Sequence, residues 1–141
     1  MPMTLDIVTV ERSIYHADDV DVVVVPGSEG VMGILPRHSP IVTALKEGVL
    51  EIVRGENREL LAIGGGFMEV RESQVVILAE AAEHADEIDV ARAEAARVRA
   101  RQVVEEAPDK QDMEKAMAAL RRAEVRLRVS KKRAQQATGS H

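Results

Sequence analysis

Four residues in the middle of the chain stand at a spacing that can do chemistry: Asp89, Arg92, Ala96 and Arg99 lie at i, i+3, i+7 and i+10. On a helix these share one stripe. A carboxylate and two guanidiniums so aligned, with Glu83 just upstream, suit a polar anionic ligand; they equally suit an exposed face laced by salt bridges. No other grouping carries comparable chemistry. His16, His38, His84 and His141 are the only histidines, and no two have the spacing of a metal-binding pair. No serine or threonine lies in a nucleophile-elbow sequence, and nothing else in the chain reads as an enzyme.

Those residues sit where the hydrophobic period changes from two to 3.6, within AEAAEHADEIDVARAEAARVR at 79–99. Everything before this stretch reads as strands and everything after as helix. The strand candidates are 5–10, 13–16, 20–25, 41–45, 48–54, 59–63, 67–71 and 74–79. Turn signals fall at Pro26-Gly27, Lys46-Glu47-Gly48, Gly55-Glu56-Asn57 and Arg71-Glu72-Ser73. Short strands so spaced predict an antiparallel sandwich or flattened barrel.

Two glycine clusters interrupt the strands. Gly27, Gly30 and Gly33 lie in PGSEGVMGILPRHSP, which lacks the Gly-Lys-Ser/Thr ending of a P-loop and has no predicted helix behind it, so it reads as a turn-rich excursion. Gly64-Gly65-Gly66 marks either a bulge or a close approach of another backbone.

The second half predicts two helices, about 87–104 and 112–133, joined by residues 105–111. Pro108 ends the first and Asp109 or Asp112 caps the second. So short a connection makes an antiparallel hairpin. On the second helix Met113, Met117, Leu120 and Leu127 form one apolar stripe, and Ala118, Val125 and Val129 another. The first offers mainly alanine, with Ile88, Val98 and Val103. Such a contact buries little area and holds the hairpin weakly. The fold class is thus α+β, with a β domain at 1–84 and a helical hairpin at 85–141.

Charge divides the same way. Residues 1–84 hold 14 acids and 6 bases, and residues 85–141 hold 10 acids and 13 bases. Seven of those bases are Arg121, Arg122, Arg126, Arg128, Lys131, Lys132 and Arg133, interrupted only by Glu124. That exceeds what a helix dipole needs and points to an acidic protein partner. An acidic chain with one Phe, one Tyr and no Trp is a poor nucleic-acid binder. The absence of cysteine excludes disulfides and thiolate sites. No apolar run of membrane-spanning length occurs, and no signal-peptide pattern opens the chain.

Together these segments carry a resemblance over essentially the whole length. LDIVTVERSIY, GSEGVMGILPRHSPIVTAL, GGGFMEV, VVILAEAAEHADEID and the alanine- and arginine-rich hairpin resemble the epsilon subunit of bacterial F-type ATP synthase. The resemblance implies a rotor-assembly β-sandwich and a regulatory hairpin in a non-catalytic central-stalk subunit. Its partners would be the gamma subunit and the membrane ring, with the beta subunit captured by an extended, inhibitory hairpin. It would lie peripherally on the cytoplasmic face of the bacterial plasma membrane and couple proton transport to ATP synthesis. The loop position often acidic in relatives is Val31 here.

Some relatives bind ATP through an (Ile/Leu)-Asp-x-x-Arg-Ala motif, which residues 88–93 match in full as IDVARA. The resemblance thus implies ATP as a regulatory ligand at Glu83, Ile88, Asp89, Arg92, Ala93, Arg99, Arg122 and Arg126. Carboxylates or nearby backbone would accept from the adenine amino group, and arginines would donate to phosphate oxygens without a required magnesium. Two alternatives stand beside this: a stalk subunit whose hairpin binds no nucleotide, and a free-standing nucleotide-sensing module.

Overall fold

A computed structural model describes residues 2–106 and 109–139. Pro108 and His141 lie outside the described residues. The chain divides into two compact units, with the boundary in sequence between His84 and Ala85.

The first unit contains β1 (Met3–Val8), β2 (Ser13–Val20), β3 (Val22–Gly27), β4 (Gly30–Ile34), β5 (Ile41–Arg54), β6 (Asn57–Arg71), β7 (Gln74–Ala79) and β8 (Ala82–His84). Their order is β2-β1-β7-β6-β5-β3-β4, with β8 also on β6. Every pairing is antiparallel except β1 with β7, which is parallel. Alternation makes this a sandwich: Met3, Leu5 and Ile7 of β1 are fully buried, as are Val75 and Ile77 of β7, while the residues between them face outward. Leu50, Ile52, Leu61, Met68 and Ile34 belong to the same core.

Three expectations need correction. The glycine-rich excursion contains a strand: β4 pairs with β3 from Val23 opposite Ile34 to Gly27 opposite Gly30. Glycine content had hidden its β character. The segments 41–45 and 48–54 are one strand, as are 59–63 and 67–71, because pairing across the sheet overrides local turn propensity. At Gly64-Gly65-Gly66 there is no bulge toward β5: the register runs evenly from Leu45 opposite Gly66 to Glu47 opposite Gly64. The reason for glycine is the second one anticipated, close backbone approach. A Cβ on Gly66 would lie 2.0 Å from the Leu78 carbonyl oxygen.

Polar clusters tie strand ends together. Arg54 donates to both carboxylate oxygens of Asp19, at 2.8 and 3.2 Å, and the Asp21 carboxylate accepts from Gly55 N at 2.7 Å, joining the β2–β3 turn to the β5–β6 turn. Beside them, burial and Glu59 push the Tyr15 phenol up to about 12.

His16 on β2 reaches Asp6 on β1 at 2.6 Å through Nδ1 and Asp18 at 3.2 Å through Nε2. The hydrogen bond and charge of Asp6, then Asp18, raise its pKa. A histidine pKa raised by folding adds stability below its unfolded value, about 6.5, and that stability is lost as pH rises through the folded value. The urea midpoint of the wild type should therefore fall relative to His16→Gln between about pH 6 and pH 8. Parallel midpoints over that range would show the pair to be without effect.

In the second unit a 3-10 turn at Ala85–Glu87 leads into α1 (Val90–Glu106), and α2 (Lys110–Gly139) packs along α1. α1 is shifted toward the C-terminus of its expected span without being longer, whereas α2 extends past its expected span at both ends. Asp109, not Asp112, caps α2: its carboxylate accepts from Asp112 N at 2.8 Å and its carbonyl from Met113 N at 3.1 Å. The expected apolar stripe is also displaced, since Met113 and Met117 are 40% and 43% exposed. The buried residues of the pair are instead Ala93 and Ala100 on α1 and Ala116 and Ala123 on α2. Small residues let the axes come close, and the longer methionines are turned outward. The other expected side is buried at Val125 and Val129.

Candidate functional site

The matched hexapeptide begins where the 3-10 turn ends. Ile88 is half-buried and its N–H donates to the Ala85 carbonyl at 3.3 Å. Asp89 then starts α1: its Oδ1 accepts from Arg92 N at 3.1 Å, and its carbonyl accepts from Ala93 N at 3.0 Å. This is an N-cap, in which a side-chain oxygen satisfies a backbone donor that the helix leaves unpaired. Arg92 is exposed, while Ala93, 1% exposed, lies in the seam between the helices.

A simple repeat fixes where the arginines fall. Arg92, Arg99 and Arg122 each directly precede a buried alanine: Ala93, Ala100 and Ala123. One residue turns a helix by about 100°, so each arginine flanks the seam in the same rotational sense. In an antiparallel pair that sense leads to one side of the hairpin. Ala93 lies thirteen residues before the end of α1 and Ala123 thirteen after the start of α2, so Arg92 and Arg122 are level with each other. Arg126, half-buried, is one turn further along, toward the start of α1.

Arg99 shares the side but not the level. It stands two turns from Arg92, roughly 10 Å along the axis, at the edge of a shallow depression lined also by Ala91, Ala95 and Val98. Ala96 is half-buried beside the seam. Glu83 belongs to the first unit, half-buried on β8 opposite Ala62. The hairpin itself thus gathers Arg92, Arg122 and Arg126 around the capped start of α1. The Arg-Ala repeat is legible in the sequence, whereas the burial of its alanines, which gives the repeat its meaning, is not.

From Arg121 onward α2 is rich in exposed bases. Arg121, Arg122, Arg128, Lys131, Lys132 and Arg133 are exposed, and Arg133 pairs with Asp86 of the 3-10 turn. Among the described residues, no helix is long and apolar enough to cross a membrane.

Residues 2–85 match the family described as "ATP synthase, Delta/Epsilon chain, beta-sandwich domain", and residues 86–131 match its "long alpha-helix domain". The chain belongs to the ATP synthase delta/epsilon family. It is 49% identical over 133 residues to the ATP synthase epsilon chain of Herpetosiphon aurantiacus, covering 94% of this chain and 97% of that one. With the epsilon chain of Chloroflexus aggregans it shares 50% identity over 130 residues, 92% and 93% of the two chains. Among solved structures it resembles a chain of the Euglena gracilis mitochondrial ATP synthase, a cryo-EM structure of OSCP, F1 and c-ring in one rotational state. There the TM-score is 0.78 and the identity 27%, over 87% of this chain and 78% of that one. A chain of the Tetrahymena thermophila mitochondrial ATP synthase central stalk and c-ring shares the fold, with a TM-score of 0.58 at 16% identity, over 94% and 96% of the two chains.

Proposed function

We propose that this protein is a non-catalytic central-stalk subunit of a bacterial F-type ATP synthase, whose hairpin restrains ATP hydrolysis and is held folded by ATP. The sandwich joins the gamma subunit and the membrane ring, peripheral to the membrane on its cytoplasmic face. What carries the stalk assignment is the match of both domains, in order, to one family, together with relatives near half identity over almost their whole length.

The ATP reading is supported by the arginines that share one side of the folded pair. Arg92, Arg122 and Arg126 stand together there, with Arg99 further along, and a triphosphate relieves their mutual repulsion. A hairpin with an alanine seam is weakly held. Ligand at 100 times its dissociation constant adds about 2.7 kcal/mol to whichever conformer binds it, enough to decide such a balance. Extension separates α2 from α1 and disperses the arginines, so ATP favours the folded form.

Calorimetry of the isolated chain tests this. Arg92→Ala and Arg126→Ala are each expected to weaken ATP binding by roughly 1.5–3 kcal/mol, as for a lost hydrogen bond to a charged group. Because arginine supplies the counter-charge, omitting magnesium should change the affinity little. Equal affinities in wild type and both variants would mean that these arginines are a solvated face.

A further inference from the structure

Resting on the ATP reading, we propose that Asp89 serves the site as a positioning residue, fixing the start of α1 and with it the direction of Arg92, and does not itself meet the nucleotide. In the matched hexapeptide the fold gives most residues a task of their own. Ile88 closes the 3-10 turn, Asp89 caps α1, and Ala93 fills the seam, where a larger side chain would part the helices. Asp89 and Arg92, the charged residues of the motif, are both exposed, and it is the Asp89 side chain that the helix start engages.

The cap acts on Arg92 directly. The donor captured by Asp89 Oδ1 is the backbone N–H of Arg92 itself, and the Asp89 carbonyl takes the next one, from Ala93. Without these bonds the first turn frays, as helix ends do when their N–H groups lack partners. Arg92 then leaves the level of Arg122 for part of the time, and apparent affinity falls with the fraction of competent conformer. The carboxylate is thus needed for its acceptor oxygen rather than for its charge.

Serine and asparagine keep an acceptor at the cap, and alanine does not. The test is to measure ATP and GTP binding to the full chain for wild type, Asp89→Ala, Asp89→Ser and Asp89→Asn, with amide exchange of Arg92 and Ala93 measured without nucleotide. Asp89→Ala should exchange about fivefold faster at these amides and bind ATP about threefold more weakly. Asp89→Ser and Asp89→Asn should restore both to within about twofold of wild type, with the ratio of ATP to GTP affinity unchanged. If Asp89→Ser and Asp89→Asn lose affinity as Asp89→Ala does while their amides stay protected, Asp89 is a ligand contact and the proposal is overturned. A changed ATP-to-GTP ratio in either capped variant would overturn it equally. A wild type that binds no ATP would sink the proposed regulatory function, and with it a role for Asp89 toward nucleotide; exchange rates would then show whether the cap exists apart from any ligand.

Discussion

Gly66→Ala is expected to destabilise the sandwich by more than about 4 kcal/mol, a large fraction of the stability of an ordinary domain. The added Cβ would fall 2.0 Å from the Leu78 carbonyl oxygen and 2.9 Å from Ala79 Cα, and both are backbone atoms of β7. No rotamer change relieves that. The Gly66 φ of 142° adds to the strain, since L-residues seldom adopt it. Gly33→Ala is the control, because a Cβ there meets nothing within 4 Å. It should shift stability by no more than about 1 kcal/mol. Urea unfolding of the full chain followed by circular dichroism would decide the matter. A wild-type midpoint for Gly66→Ala would mean that β6 and β7 do not approach as described.

Removal of residues 106–141 should leave assembly of the synthase intact and raise its ATP hydrolysis about fivefold or more, the range of an ordinary regulatory coupling. On the proposed reading the six exposed bases from Arg121 to Arg133 on α2 attract an acidic surface, and the alanine seam with α1 itself buries little apolar area to oppose it. The effect should depend on ATP. On the proposed function, truncation should relieve the most inhibition at low ATP, where the hairpin would be freer to extend, and the two complexes should converge at saturating ATP. Hydrolysis rates equal at all ATP concentrations would rule out the inhibitory role, leaving coupling of rotation as the function.

The fold was legible where one physical signal acted alone. The alternation of Leu5, Ile7, Val75 and Ile77 marked strands, and the change of period after Ala79 marked the passage to helix. It was obscured where long-range pairing outweighed local preference. Lys46-Glu47 reads as a turn yet lies inside β5, with Glu47 opposite Gly64, and Gly30 to Ile34 reads as loop yet pairs fully with β3. Glycine near a strand signals both a turn and a close approach, and only the neighbour, here Leu78, tells which. The candidate residues were readable as types and spacings. Asp89 looked like part of a charged stripe because periodicity treats a capping residue and a helical one alike. The methionines of α2 misled for a related reason: hydrophobicity ranks Met113 above Ala116, whereas a close helix seam selects for size.

The parallel pairing of β1 with β7 sets an order on the birth of the molecule. Thr4 is held by Gln74 and Val8 by Leu78, so the first strand made has to wait for one of the last strands of its unit before its flank is covered. Until that strand emerges, Met3, Leu5 and Ile7 have no closed core to enter. Such distant pairing is slow and leaves apolar edges open to neighbouring chains, whereas the two helices contact mainly residues near them in sequence and close quickly. The hairpin, made after the sandwich, can therefore close as soon as it appears, while the older sandwich, its β7 already made, is still settling its distant pairings.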